Sequence, residues 1–169
     1  PLFEDYQLVM EQQREWRLLL SDAPEQRRAR MLKLADQGRP EGYFGLGWLY
    51  QTGLGGVTNF VEAATHYRKA AESGLPIAQT CLGEMYDAGL GVPQDAVEAV
   101  QWYRRAAAGG FAPAKVDLGL SLTYGTGTPT NYAEALKLFH EAGNAGYAAG
   151  FYQVGMAYKV GREVGVNTN

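Results

Sequence analysis

CLGEMYDAGLGVPQDAVEAVQWYRRAA, residues 81–107, decides the fold. Leu82 and Tyr86 continue a spacing of three and four residues begun at Leu75 and Ala78, which is the apolar stripe of an α-helix. Ala96, Ala99, Tyr103 and Ala106 form a second stripe. Between them Gly89-Leu90-Gly91-Val92-Pro93-Gln94-Asp95 supplies a glycine for the helix end, a turn, and an aspartate that can cap the next helix. The segment reads as helix, tight turn, helix.

The same pattern returns every 36 residues in both directions. Gly47, Gly83, Gly119 and Gly155 share one column; Gly53, Gly89, Gly125 and Gly161 share another; Gly38, Gly74, Gly110 and Gly146 a third; Gly55, Gly91 and Gly127 a fourth. Fifteen of the 22 glycines therefore stand on one lattice, the mark of a tandem repeat. Apolar columns keep step with them: Leu46, Leu82, Leu118 and Val154; Tyr50, Tyr86, Leu122 and Tyr158; Ala63, Ala99 and Ala135; Tyr67, Tyr103 and Phe139; Ala70, Ala106 and Ala142.

Asn59, Asp95 and Asn131 each precede a glutamate by three residues (Glu62, Glu98, Glu134), which places a side-chain acceptor at the N-cap and a carboxylate at N3 of every second helix. Gly47, Gly83, Gly119 and Gly155 fall inside the first helix of each unit, where a glycine costs about 1 kcal/mol relative to alanine. Their regular return implies helix crossing points, with a backbone approached too closely for any side chain.

With these residues in view, the segments Cys81–Asp95 and Ala99–Ala107 resemble the Sel1-like repeat, whose pattern is LGxxYxxGxGVxxD followed by AxxWYxxAA. Departures are confined to His66 in the first unit and to Leu122, Leu138 and Gly143 in the third, and none breaks the phase. The resemblance, to a family related to tetratricopeptide proteins, implies an all-α fold: a right-handed α/α superhelical solenoid of antiparallel helix pairs. The division is a capping helix pair over 1–38, repeats over 39–74, 75–110 and 111–146, and a partial repeat, helix A and turn, over 147–169.

The two ends differ from the middle. Phe3, Tyr6, Val9, Met10, Trp16 and Leu20 lie at helical spacing, and Arg27 to Gln37 keeps the phase of a second helix, with Ala35 and Gly38 on the lattice. This is the expected N-terminal cap. At the other end Asn167 falls on the N-cap column, so the sequence is expected to be cut where a fourth second helix begins, leaving an open end through which copies of the chain could associate.

Composition narrows the function classes. Fifteen Lys plus Arg against 18 Asp plus Glu gives a net charge of −3, and no general positive field exists to gather nucleic acid. A single cysteine, Cys81, excludes an internal disulfide and any multi-thiolate zinc site. The longest uncharged stretches are interrupted by Gly and Asn and fall short of the roughly 18 to 20 apolar residues of a membrane helix. The glycine-rich turns follow helices and lack a Gly-Lys-Ser/Thr, which argues against a phosphate loop. His66 and His140 are two repeats apart, one on a packing column and one on a solvent column, and offer no zinc spacing. Ser73 and Ser121 have no nucleophile-elbow frame, and Glu84 with Asp87 reads as a solvated face. No enzyme activity and no cofactor is expected.

The resemblance implies that a protein or peptide partner binds a concave groove lined by the first helices. Carried over by column, that surface is Phe44, Trp48 and Gln51; Thr80, Glu84 and Asp87; Val116, Leu120 and Thr123; and Tyr152, Met156 and Lys159. Phe44, Trp48, Leu120, Tyr152 and Met156 lie off the inter-repeat stripe and would otherwise expose large apolar groups; the alternative for Trp48 is packing under the N-terminal capping helix, sharing cover with Trp16. The family further implies a bacterial, often periplasmic or exported, scaffold in envelope assembly, secretion or toxin immunity. The alternatives are a rigid spacer within a longer protein, or a glycan-binding accessory using Trp48, Tyr152, Thr80, Gln51 and Asp87 as a sugar platform.

Overall fold

A computed structural model describes residues 23–54 and 56–159. They form eight helices: α1 Pro24–Asp36, α2 Pro40–Thr52, α3 Phe60–Glu72, α4 Pro76–Ala88, α5 Ala96–Ala108, α6 Ala112–Tyr124, α7 Tyr132–Asn144 and α8 Ala148–Lys159. Helices α2, α4, α6 and α8 are the first members of successive units and α3, α5 and α7 the second; α1 takes the phase of a second helix, as its sequence implies. The expected N-terminal helix containing Trp16, and Asn167, lie outside the described residues.

Each boundary follows from local chemistry. The first helices α2, α4 and α6 begin with proline at N1 or N2, which presets φ and spares a donor the helix cannot use. They end on Gly53, Gly89 and Gly125 in the left-handed conformation. The second helices begin at the polar caps: Asn59 Oδ1 accepts from the amides of Val61 and Glu62, and Asp95 Oδ1 from those of Val97 and Glu98 at 3.0 Å each. Asn131 accepts from the Glu134 amide and its Nδ2 donates back to the Glu134 carboxylate, closing a reciprocal cap. The amides of Asn59, Asp95 and Asn131 also donate to the carbonyls of Tyr50, Tyr86 and Leu122, so every turn is tied back to its own first helix by the same bond.

Packing repeats with the same period. A Cβ on Gly47, Gly83 or Gly119 would come within 2.6, 2.6 or 2.4 Å of the ring of Tyr67, Tyr103 or Phe139 respectively. The close approach expected at these glycines is real, but it is made by the aromatic ring of the partner helix and not by crossing backbones. Gly155 has nothing within 4 Å, because no second helix faces α8 among the described residues. The turns are pinned differently: Gly91, at φ 70°, would drive a Cβ to 2.1 Å from the Phe60 carbonyl oxygen at the start of α3. Gly127 meets the Ala96 carbonyl of α5 in the same way, so each turn seats on the preceding unit.

The buried residues form two clusters, one centred on Phe44, Tyr67, Leu82 and Met85 and the other on Tyr103, Leu118, Leu122 and Phe139, with Tyr86 packing against both. The core thus runs the length of the stack, as it does when each unit covers its neighbour. In the layer of first helices, α4 touches α6 and α6 touches α8. No described helix is long and apolar enough to cross a membrane.

Candidate partner-binding groove

Two cavities open along the first-helix layer. One, of about 310 Å³, lies between α4 and α6 and is lined by Glu84, Asp87, Ala88, Tyr103, Asp117, Leu120, Ser121, Tyr124 and Thr126. The other, of about 280 Å³, lies among α6, α7 and α8 and includes Leu120, Thr123, Tyr124, Tyr132, Leu136, Phe139, Tyr152 and Met156. Leu120 and Tyr124 belong to both, so the cavities adjoin. They are also one site seen twice: moving Glu84, Asp87, Tyr103, Asp117 and Leu120 by 36 positions gives Leu120, Thr123, Phe139, Gln153 and Met156. One repeat earlier the same columns hold Trp48, Gln51, Tyr67, Cys81 and Glu84; of these Trp48, Gln51, Tyr67 and Cys81 are buried.

The chemistry changes at each step. Tyr67 donates its hydroxyl to Gln51 Oε1, and Tyr103 donates to Asp87 Oδ2 at 2.8 Å. At the third step the ring is Phe139 and the facing residue Thr123, whose hydroxyl donates instead to the Gly119 carbonyl at 2.8 Å. A hydroxyl is therefore present on the ring where the facing side chain is Gln or Asp, and absent where it is Thr. Burial pushes the Asp87 carboxyl above its ordinary range, and the Tyr103 hydroxyl bond partly offsets this. Burial, with Asp117 and Asp87 nearby, pushes the Tyr103 phenol well up, so it stays a donor.

Of the residues carried over by column, Glu84, Asp87, Leu120, Thr123, Tyr152 and Met156 line these cavities. Lys159 is exposed at the end of α8. Five do not reach an open surface. Phe44, Trp48, Gln51, Thr80 and Val116 are buried, Phe44 at 1% and Thr80 at 0% exposure. The cause is that a first helix has neighbours on several sides. Phe44 lies against Tyr67 of α3 with ring centroids 5.4 Å apart, and the column it heads packs inward until α8. Tyr152, the last residue of that column, is 65% exposed. The sugar platform loses Trp48, Thr80 and Gln51 to the core in the same way. Sequence reading missed Tyr103, Asp117, Tyr124 and Tyr132; the paired change at Asp87/Thr123 and Tyr103/Phe139 was a signal for the first of them.

The remaining candidates take structural places. His66 stacks on Tyr50 with centroids 5.5 Å apart and planes 9° from parallel, and burial lowers its pKa. Cys81 is buried, and its thiol is pushed well up, first by desolvation and then by Glu84 and Asp117, the opposite of an activated nucleophile. Among the described residues no group of three or more His, Cys, Asp or Glu is placed to hold a metal ion.

The sequence matches the Sel1 repeat family over residues 40–75, 76–111 and 112–147, one residue later than the expected boundaries and starting on the first residue of each first helix. Among solved structures it is similar to a Sel1 repeat protein from Oxalobacter formigenes, at 36% identity and a TM-score of 0.76 over 83% of this chain and 58% of that one. It is similar to c5321, a protective antigen present in uropathogenic Escherichia coli strains displaying an SLR fold, at 30% identity and 0.75 over 84% of this chain and 30% of that one. Helicobacter pylori cysteine rich protein B shares the fold at 21% identity and 0.60, covering 75% of this chain and 91% of that one. The chain spans less than two thirds of the first two proteins. No curated protein matches it.

Proposed function

Since the chain belongs to the Sel1 repeat family, whose members are commonly protein-interaction scaffolds, we propose that it holds a protein or peptide partner in the groove along α4, α6 and α8. The observation that carries this reading is the pair of adjoining cavities, with Tyr152 at 65% and Met156 at 38% exposure on the wall of the second. Large apolar side chains left in contact with water beside a cavity are the residue types that become hot spots when a partner covers them. The bacterial sources of the similar structures support a bacterial setting, of the envelope-assembly, secretion or toxin-immunity kind that the family implies.

Affinity capture from the native organism's lysate tests this. A Leu120→Glu, Met156→Glu variant is compared with wild type, and a partner retained only by wild type is expected. Equal retention by both forms would remove the groove from consideration. A second reading, that these units are a rigid stretch of a longer stack, draws on the greater length of the similar proteins. A partner that is retained wherever the groove is altered, and lost only when units are deleted, would favour it.

A further inference from the structure

The groove has a direction. In the column Asp87, Thr123, Lys159 the side chain goes from anionic to neutral to cationic across successive units. The acidic end is reinforced by Glu84 and Asp117 on the cavity wall, while the middle cavity is walled by Leu120, Leu136, Phe139 and Met156. Lys159 lies exposed one helical turn beyond Met156 on α8, outside the lining of that apolar cavity. An apolar pocket is thus flanked on its α4 side by three carboxylates, with a lysine farther along α8. Such an arrangement favours one chemical sequence in an occupant and penalises its reverse, since like charges set against each other cost affinity.

We propose that the occupant is a peptide segment with an apolar or aromatic anchor in the α6–α8 cavity and a lysine or arginine in the α4–α6 cavity, running with its cation toward α4 and any carboxylate toward Lys159. This rests on the groove reading above and names the partner chemistry for it. The spacing follows from the repeat. Adjacent packed helices stand about 8–10 Å apart, so consecutive cavities are separated by about one such step. An extended segment rising about 3.3 Å per residue places the cation about two or three residues from the anchor, and a helical one rising about 1.5 Å places it about five to seven away. Aromatic side chains suit the anchor, because the pocket already offers Phe139, Tyr132, Tyr124 and Tyr152.

Selection of a random peptide display library on the full chain tests the proposal. Enriched sequences are expected to carry a Lys or Arg about two or three, or about five to seven, residues from an aromatic or large aliphatic residue. Synthetic peptides of the enriched set are expected to lose about tenfold in affinity for Glu84→Gln, Asp117→Asn protein, and to weaken as salt is raised with the unaltered protein. Variants are used only where their circular dichroism and unfolding transitions match wild type, and the salt series needs no variant. Enriched peptides that are lost on Leu120→Glu but show no cation at these spacings overturn this proposal and leave the groove reading standing. Enriched peptides indifferent to Leu120→Glu, or no enrichment at all, overturn both.

Discussion

The cavity between α4 and α6 and the cavity among α6, α7 and α8 are built on the same columns of the repeat, yet the first carries three carboxylates and the second no charged side chain. The shared part is the frame: a ring seated on a glycine, a left-handed glycine at the helix end, and a capped second helix. The variable part is the small set of positions 84/120, 87/123, 103/139 and 117/153. A repeat protein of this kind fixes its backbone with one set of columns and writes its surface chemistry in another.

The largest expected effect breaks the frame. Gly119→Ala forces the Phe139 ring aside and should cost about 1–3 kcal/mol in urea unfolding, as overpacking of a core does. Gly155→Ala, where nothing lies within 4 Å, should be neutral or stabilising by up to about 1 kcal/mol through helix propensity. Equal costs at the two sites would show that the glycines are not ring seats.

Smaller effects sharpen the chemical difference. Tyr103→Phe removes the donor to Asp87 and should destabilise by about 1 kcal/mol. In the apolar cavity the same pair can be grafted: Phe139→Tyr with Thr123→Asp should show favourable coupling of about 1 kcal/mol in a double-mutant cycle, each single change being worse than the pair implies. Additive costs would mean that the hydroxyl and its acceptor are not a unit of the repeat.

The smallest effect is in pH. Burial raises the Asp87 carboxyl above 3.8, so in the window between that ordinary value and its raised folded value the folded chain holds more proton than the unfolded one. Its contribution to stability therefore improves as pH falls through that window, and its ionised form is a burden above it. Asp87→Asn, which keeps an acceptor for Tyr103, should be the more stable form at neutral pH and lose that advantage as pH approaches about 4. Thermal unfolding of the two forms across this range checks the sign. Glu141, held down by Lys115 at 2.7 Å, acts in the opposite sense, losing its contribution as pH falls through its lowered value.

The frame was legible in the sequence because it is made of glycines, caps and apolar stripes that keep one phase over residues 40–147. The groove was legible only in part. Phe44, Trp48, Gln51, Thr80 and Val116 looked like surface because an amphipathic stripe gives one buried arc per helix. A first helix in a stack is covered by its own second helix and by both neighbouring units: α2 and α4 bury most of their residues, whereas α3 and α7 bury a narrower set. The Tyr103–Asp87 bond spans 16 residues between helices and leaves no trace in either stripe, only in the way two columns change together.

The central claim is that the first-helix groove is where the partner sits. Oxidative footprinting of side chains, with and without the captured partner or a selected peptide, tests it most directly. Tyr124, Tyr152 and Met156 line the groove, while Tyr158, 63% exposed on another face of α8, serves as the internal reference. Loss of reactivity at Tyr124, Tyr152 and Met156 with Tyr158 unchanged is the expected result. Protection of Tyr158 alone, or of none of the four, would contradict the account.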